Sequence, residues 1–228
     1  MILFYRFFIN LIFIFSPLII LVRLLKKKEN PKRFKEKFCF FSKKKKRGDL
    51  IWIHVASIGE LLSVIPIIYK IEDIDRVKQI VVTSTTVSSS YIFQKFKFKK
   101  TIHQFFPIDT NYFSKKFLNY WKPKLVIFVE SEIWPNTLIN LKKRSISHIL
   151  LNARITNKTF KRWKKINSFS KKLFQSFNIV YPQNIETEKY LKQLGCKKIK
   201  KLGNIKFINS IEKIKSGLNY KIRRKKKI

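Results

Sequence analysis

Leu50-Ile51-Trp52-Ile53-His54-Val55-Ala56-Ser57-Ile58-Gly59-Glu60 decides the fold. Its first six residues are bulky and mostly β-branched or aromatic, the composition of a strand. Ser57-Ile58-Gly59-Glu60 interrupts the run, and 61–71 then reads as a helix. The stretch is a strand–loop–helix unit.

The unit recurs downstream. Strands are expected at 79–83, 103–106, 124–129, 148–152 and 179–180, with a closing strand at 199–202. Helices are expected from about residue 88, at 112–120, 134–143 and 186–194, and as one long basic helix over 157–176. Gly195 follows as a C-cap. Strands alternating with helices imply βαβ crossovers and a parallel sheet. The apolar runs lack a polar alternation, as in strands covered on both faces. The expectation is an α/β fold with a single Rossmann-like domain over 48–208, followed by a basic, poorly ordered tail at 209–228.

Upstream, Phe7 to Val22 reads FFINLIFIFSPLIILV, nearly the 20 or so apolar residues that cross a bilayer as helix. Residues 1–25 are therefore expected to be a membrane anchor, bent at Pro17, with Arg6 snorkelling to the interface. Lys26, Lys27 and Lys28 open a basic juxtamembrane segment over 26–47. Its charge places it on the cytoplasmic side and would attract anionic membrane lipids. A cleaved signal peptide fits less well, because the charge lies on the wrong flank.

Lys and Arg number 51 against 13 Asp and Glu, a net charge of +38 in 228 residues. Such an excess attracts polyanions, whether nucleic acid, anionic lipid or phosphorylated glycolipid. Compositional drift toward Lys would produce the same total. The apolar share of 45% excludes a disordered chain. Cys39 and Cys196 lie far apart and have no metal-ligand spacing, so reduced thiols are expected. Neither a GxGxxG nor a P-loop pattern occurs.

Ligands of open α/β sheets bind beyond the carboxyl ends of the strands. After the first strand stand Ser57, Gly59 and Glu60. Glycine lets a ligand approach the backbone closely. An ionised Glu60 at a helix start can take a proton from a sugar hydroxyl, or simply cap the helix. After the second strand, Thr85 and Thr86 could meet an anionic group or form a plain turn with an N-cap. After the fourth, Glu130 and Glu132 sit two apart beside Trp134-Pro135-Asn136, a placement suited to acid/base work or charge stabilisation. After the fifth, Arg154 could grip a phosphate or pair with Glu130 or Glu132.

As a set these segments resemble the Kdo (3-deoxy-D-manno-octulosonic acid) transferase family. The matching stretches are 53–60, 106–109, 123–126, Glu130-Ser131-Glu132-Ile133-Trp134-Pro135-Asn136, Asn152-Ala153-Arg154 and Gly203-Asn204-Ile205-Lys206-Phe207. Ser89 and Ile208 stand where the family usually has Gly and Asp. The resemblance implies the N-terminal, acceptor-binding half of a two-domain GT-B glycosyltransferase. It implies an inverting, metal-free transfer with no cofactor, from CMP-Kdo to a lipid A precursor, on the cytoplasmic face of the bacterial inner membrane. Glu60 would be the general base, with Glu130 and Lys206 stabilising the transition state. Ser57, Gly59, Thr85, Thr86, Glu132, Asn136 and Arg154 would shape the acceptor side. The donor domain is expected to be missing from this chain. The alternative is an inactive, membrane-attached module that binds the lipid A precursor or anionic lipid. Nucleic acid is not an expected partner.

Overall fold

The computed structural model describes residues 1–205. Lys206 and the tail 209–228 singled out above lie outside the described residues.

Helix α1 (Ile2–Leu25) leads through a short 3-10 turn at Phe34–Phe38 into β1 (Asp49–Val55). The chain then runs α2 (Ile58–Glu72), β2 (Val77–Ser84), α3 (Val87–Phe93), β3 (Thr101–Phe105), α4 (Asn111–Trp121) and β4 (Leu125–Val129). It continues with α5 (Pro135–Lys143), β5 (Ser147–Ala153), α6 (Asn157–Lys165), α7 (Asn167–Phe174), β6 (Ile179–Pro182) and α8 (Ile185–Gln193).

The strands form one six-stranded sheet in the order β3-β2-β1-β4-β5-β6, each neighbouring pair parallel. Helices α2 and α3 pack on one face through Leu61, Val64, Ile68 and Phe93. Helices α4 to α8 pack on the other through Phe117, Trp121, Leu138, Phe174 and Leu191. Burying both faces is why the strand sequences show no alternation. From β1 the chain winds one way and from β4 the other. The switch point therefore lies between β1 and β4, where connections diverge and leave a crevice at the carboxyl ends.

Two expectations about elements change. The stretch 157–176 is two helices, broken at Ile166, whose backbone leaves helical geometry at φ −114 and ψ 43. The break lets Phe160 of α6 and Leu173 and Phe174 of α7 all reach the same core. The stretch 199–202 forms no strand; Ile199 makes a single bridge to Val180. Lys197, Lys198, Lys200 and Lys201 surround it and leave little apolar surface to bury against the sheet.

Helix α1 passes through Pro17 unbroken. Proline removes the N–H that would bond the Phe13 carbonyl four residues back. The Ser16 hydroxyl donates to that carbonyl instead, at 2.6 Å. One side of α1 is docked along the domain. Near its start, Tyr5 Oη donates to Asp109 Oδ2 at 2.8 Å. Arg6 Nε donates to Asn136 Oδ1 at 2.9 Å and its Nη2 to Asn111 Oδ1 at 3.2 Å, so Arg6 is held by the domain rather than reaching outward. Phe13 packs edge-on against Phe38 and Phe113 in the middle. Arg23 pairs with Glu29 near the end, and Glu29 also takes Lys37. The other side exposes Phe4, Phe8, Phe15, Leu18 and Val22.

The basic segment is likewise partly folded in. Arg33 grips Glu36 through two nitrogens at 2.8 and 3.0 Å. It also donates to Ser90 and to the His103 carbonyl. Burial first, then the Arg33 charge, push the His103 imidazole down to about 3, so it stays neutral there.

Candidate functional site

The site grows from the turn after β1. Ser57 has extended backbone (φ −124, ψ 165) and is the N-cap of α2; its Oγ accepts from the Glu60 N–H at 3.2 Å. Glu60 reaches back: Oε2 accepts from the Ala56 N–H at 2.8 Å and Oε1 from the Ser57 hydroxyl at 3.2 Å. This is a reciprocal capping arrangement, so the carboxylate at the crevice also finishes its own helix. Glu60 is 7% exposed. Burial pushes its carboxyl up to about 7. The Ala56 amide opposes that rise, the charges of Glu132 and Glu130 add to it, and the Ser57 hydroxyl opposes it. A carboxyl poised near neutrality can exchange a proton under ordinary conditions.

Gly59 stands in open space. A Cβ there would meet only Ser57 Oγ at 3.9 Å, so the protein's own packing does not demand glycine. Thr85 ties the loop after β2 to this turn, its hydroxyl donating to the Ala56 carbonyl at 3.1 Å. Thr86 is the N-cap of α3 and accepts from the Ser89 N–H.

Glu130 follows directly on β4 with φ +59, and Asn152 sits at the end of β5 with φ +53. Two left-handed non-glycine residues on neighbouring strand ends are costly conformations of the kind found at functional sites. Glu130 is buried, and its backbone joins β5 through Leu151 and Arg154. Glu132 takes two donors on Oε2: His54 Nε2 at 3.1 Å and Trp134 Nε1 at 2.9 Å. Burial pushes the Glu132 carboxyl up, but the hydrogen bonds from His54 and Trp134 bring it below the usual carboxylate range.

The structure thus gathers Ser57, Gly59, Glu60, Thr85, Glu130 and Glu132 around the switch point. Three predicted residues stand differently. Thr86 is spent on capping α3. Asn136 is fully buried at the start of α5, donating its side-chain N–H to the Asp109 carbonyl at 2.7 Å and accepting from Arg6. Arg154 keeps an exposed side chain, and its carbonyl accepts from Ser131 Oγ at 2.7 Å. Of the two carboxylates offered as its partner, Glu130 and Glu132, the second bonds His54.

Three residues were missed as site components: His54, Thr83 and Trp134. The available signal was a histidine inside an apolar strand, where a buried imidazole requires partners. Beside them, Phe4, Phe8, Trp134, Trp163 and Phe169 line an apolar groove of about 420 Å³ between α1, the Trp134-Pro135 turn and the α6–α7 break.

Residues 32–209 match the family model described as 3-deoxy-D-manno-octulosonic-acid transferase (kdotransferase). A 3-deoxy-D-manno-octulosonic acid transferase of Rickettsia bellii is 38% identical over 207 residues, covering 90% of this chain and 49% of that protein. A probable mitochondrial 3-deoxy-D-manno-octulosonic acid transferase of Arabidopsis thaliana is 37% identical over 162 residues, covering 70% of this chain and 36% of that one. The chain thus spans about half the length of the first of these relatives and about a third of the second. Among solved structures, a UDP-N-acetylglucosamine 2-epimerase from Rickettsia bellii superposes with a TM-score of 0.51 at 16% identity, over 74% of this chain and 49% of that one. At that identity the likeness concerns the fold alone.

Proposed function

The chain belongs to the 3-deoxy-D-manno-octulosonic acid (Kdo) transferase family, and from that membership we propose that it is the acceptor-binding half of a glycosyltransferase moving Kdo from CMP-Kdo to a lipid A precursor. The observation that carries the reading is Glu60. It is a carboxyl at the switch point, held by Ala56 and Ser57 and raised to about 7. In this reading the ionised carboxylate accepts the proton of an acceptor sugar hydroxyl. The hydroxyl oxygen forms a bond to the anomeric carbon of Kdo, and the bond to the CMP phosphate breaks with its electron pair leaving on the phosphate. Glu130 and Lys206 would support the charge that develops. The CMP-Kdo site would come from the other half found in the longer relatives.

The acceptor is a phosphorylated lipid, and three features suit one. The net charge is +38. The apolar groove beside Trp134 can take an acyl chain. Helix α1, docked along one side and apolar along the other, is proposed to lie in the plane of the cytoplasmic leaflet of the bacterial inner membrane.

The test is Kdo transfer from CMP-Kdo to a tetra-acylated lipid A precursor, with Glu60→Ala as control. A general base is worth roughly 100- to 10,000-fold, and a loss on that scale is expected. Equal activity in Glu60→Ala would end the base assignment. Acceptor binding without transfer, even when the other half is supplied, would favour the second reading, a lipid-binding module, which the docked apolar helix supports.

A further inference from the structure

On the α4–α5 face of the sheet, His54 and Thr83 lie in register on β1 and β2. Both are fully buried. Trp52 Nε1 is 2.8 Å from Thr83 Oγ1, and Thr83 Oγ1 is 2.8 Å from His54 Nδ1. His54 Nε2 is 3.1 Å from Glu132 Oε2. Trp134 Nε1 is 2.9 Å from the same oxygen and 3.0 Å from His54 Nε2.

The direction of this chain follows from its ends. An indole N–H can only donate. Trp52 therefore donates to Thr83, and an ionised Glu132 can only accept, so His54 carries its proton on Nε2 and donates it to Glu132. Nδ1 of the ring is then the acceptor for the Thr83 O–H. Trp134 donates to the same Glu132 oxygen alongside His54. Every proton points toward one oxygen, and an oxygen receiving two N–H donors is best served as a carboxylate.

We propose that His54 is a positioning residue which, with Thr83 and Trp134, pins Glu132 as a fixed anion beside Glu60, and that this anion strengthens Glu60 as a proton acceptor. The groups facing Glu60 are Glu130 and Glu132 from the β4–α5 connection and Ser57 from its own turn; those facing Glu132 are His54 from β1 and Trp134 from the start of α5. A pinned anion does two things that a mobile one does not. It holds a constant repulsion on Glu60, and it leaves Glu60 as the carboxyl of the pair that titrates near neutrality. The use of Glu60 as a base rests on the proposed function; the pinning does not.

The test reads protonation in this chain rather than transfer, so its failure and that of the transferase reading are separate events. With 13C-labelled glutamate, the Glu60 carboxyl is titrated by NMR in the parent and in Glu132→Gln. Removing a nearby like charge is expected to lower the Glu60 midpoint by about half a unit to one unit. Trp134→Phe, which deletes only the N–H donor, is expected to raise the Glu132 midpoint. An unmoved Glu60 in a folded Glu132→Gln variant overturns the proposal. If that variant fails to fold, 15N NMR of the His54 ring in the parent decides. Protonation on Nε2 at neutral pH is expected, and a neutral ring protonated on Nδ1 overturns the pinning.

Discussion

Tyr5 Oη donates to Asp109 Oδ2 at 2.8 Å, joining the apolar helix α1 to a carboxylate that is 1% exposed. Asp109 in turn accepts from the backbone N–H groups of Asn136 and Thr137 and from the Thr137 hydroxyl. It thereby caps α5 from a distance, next to the Trp134 that bonds Glu132. The helix and the site share one support. Tyr5→Phe removes one donor from a buried acceptor, and a stability loss of about 1–3 kcal/mol is expected in urea unfolding. A loss below a few tenths of a kcal/mol would mean that α1 is not held there.

The orientation of α1 in a bilayer is also testable. Phe8, Phe15 and Val22 are spaced by seven residues, lie on one helix face and are all exposed. With fluorophores at these positions and quenchers at graded lipid depths, an in-plane helix should give equal depths, roughly 5–10 Å into the leaflet boundary. A deepest value at Phe15 with shallow ends would mean that the helix spans instead.

Glu60 ties stability to pH. Its folded-state value of about 7 lies above the unfolded value of about 4.3. The folded form therefore holds this proton more tightly. The associated stability is complete below the unfolded value and is lost as pH rises through about 7. Asp109, pushed up to about 6 by burial, acts with the same sign over a lower window. Glu60→Gln should match the parent at pH 4 and exceed it at pH 8 by about 1–3 kcal/mol. Thermal unfolding at the two pH values checks this, and a variant less stable than the parent at pH 8 would contradict it.

Arg33 and Lys124 form a matched pair of tests. Arg33 holds Glu36, whose side chain is 2% exposed, so Arg33→Ala strands a buried charge and should cost about 3–5 kcal/mol. Lys124 holds Asp49 with its own side chain 69% exposed, so Lys124→Ala should cost less than about 1 kcal/mol. Chemical unfolding of both variants measures the contrast; similar losses would mean that the Glu36 charge does not depend on Arg33 as described.

Much of the frame was legible in the chain alone. A strand covered on both faces must be apolar throughout, so stretches such as 50–55 and 124–129 declare themselves locally. A carboxylate placed just after such a run, as Glu60 and Glu130 are, can be assigned to the open end of a parallel sheet before any coordinate is known. The helix break at Ile166 was hidden, because the basic sequence of 157–176 suits one helix or two. Only the position of the core selects the break.

What the sequence determined by itself was the order of strands and helices and the end of the sheet where polar residues collect, because periodicity and apolar runs are local properties. What only the tertiary structure decided was who bonds to whom. His54 meets Glu132 across 78 residues, Tyr5 meets Asp109 across 104, and Asn136 turns to Arg6 across 130. Such partners are set by strand register and helix docking, and a hydrogen bond that works at 3 Å fails with a displacement of about 1 Å.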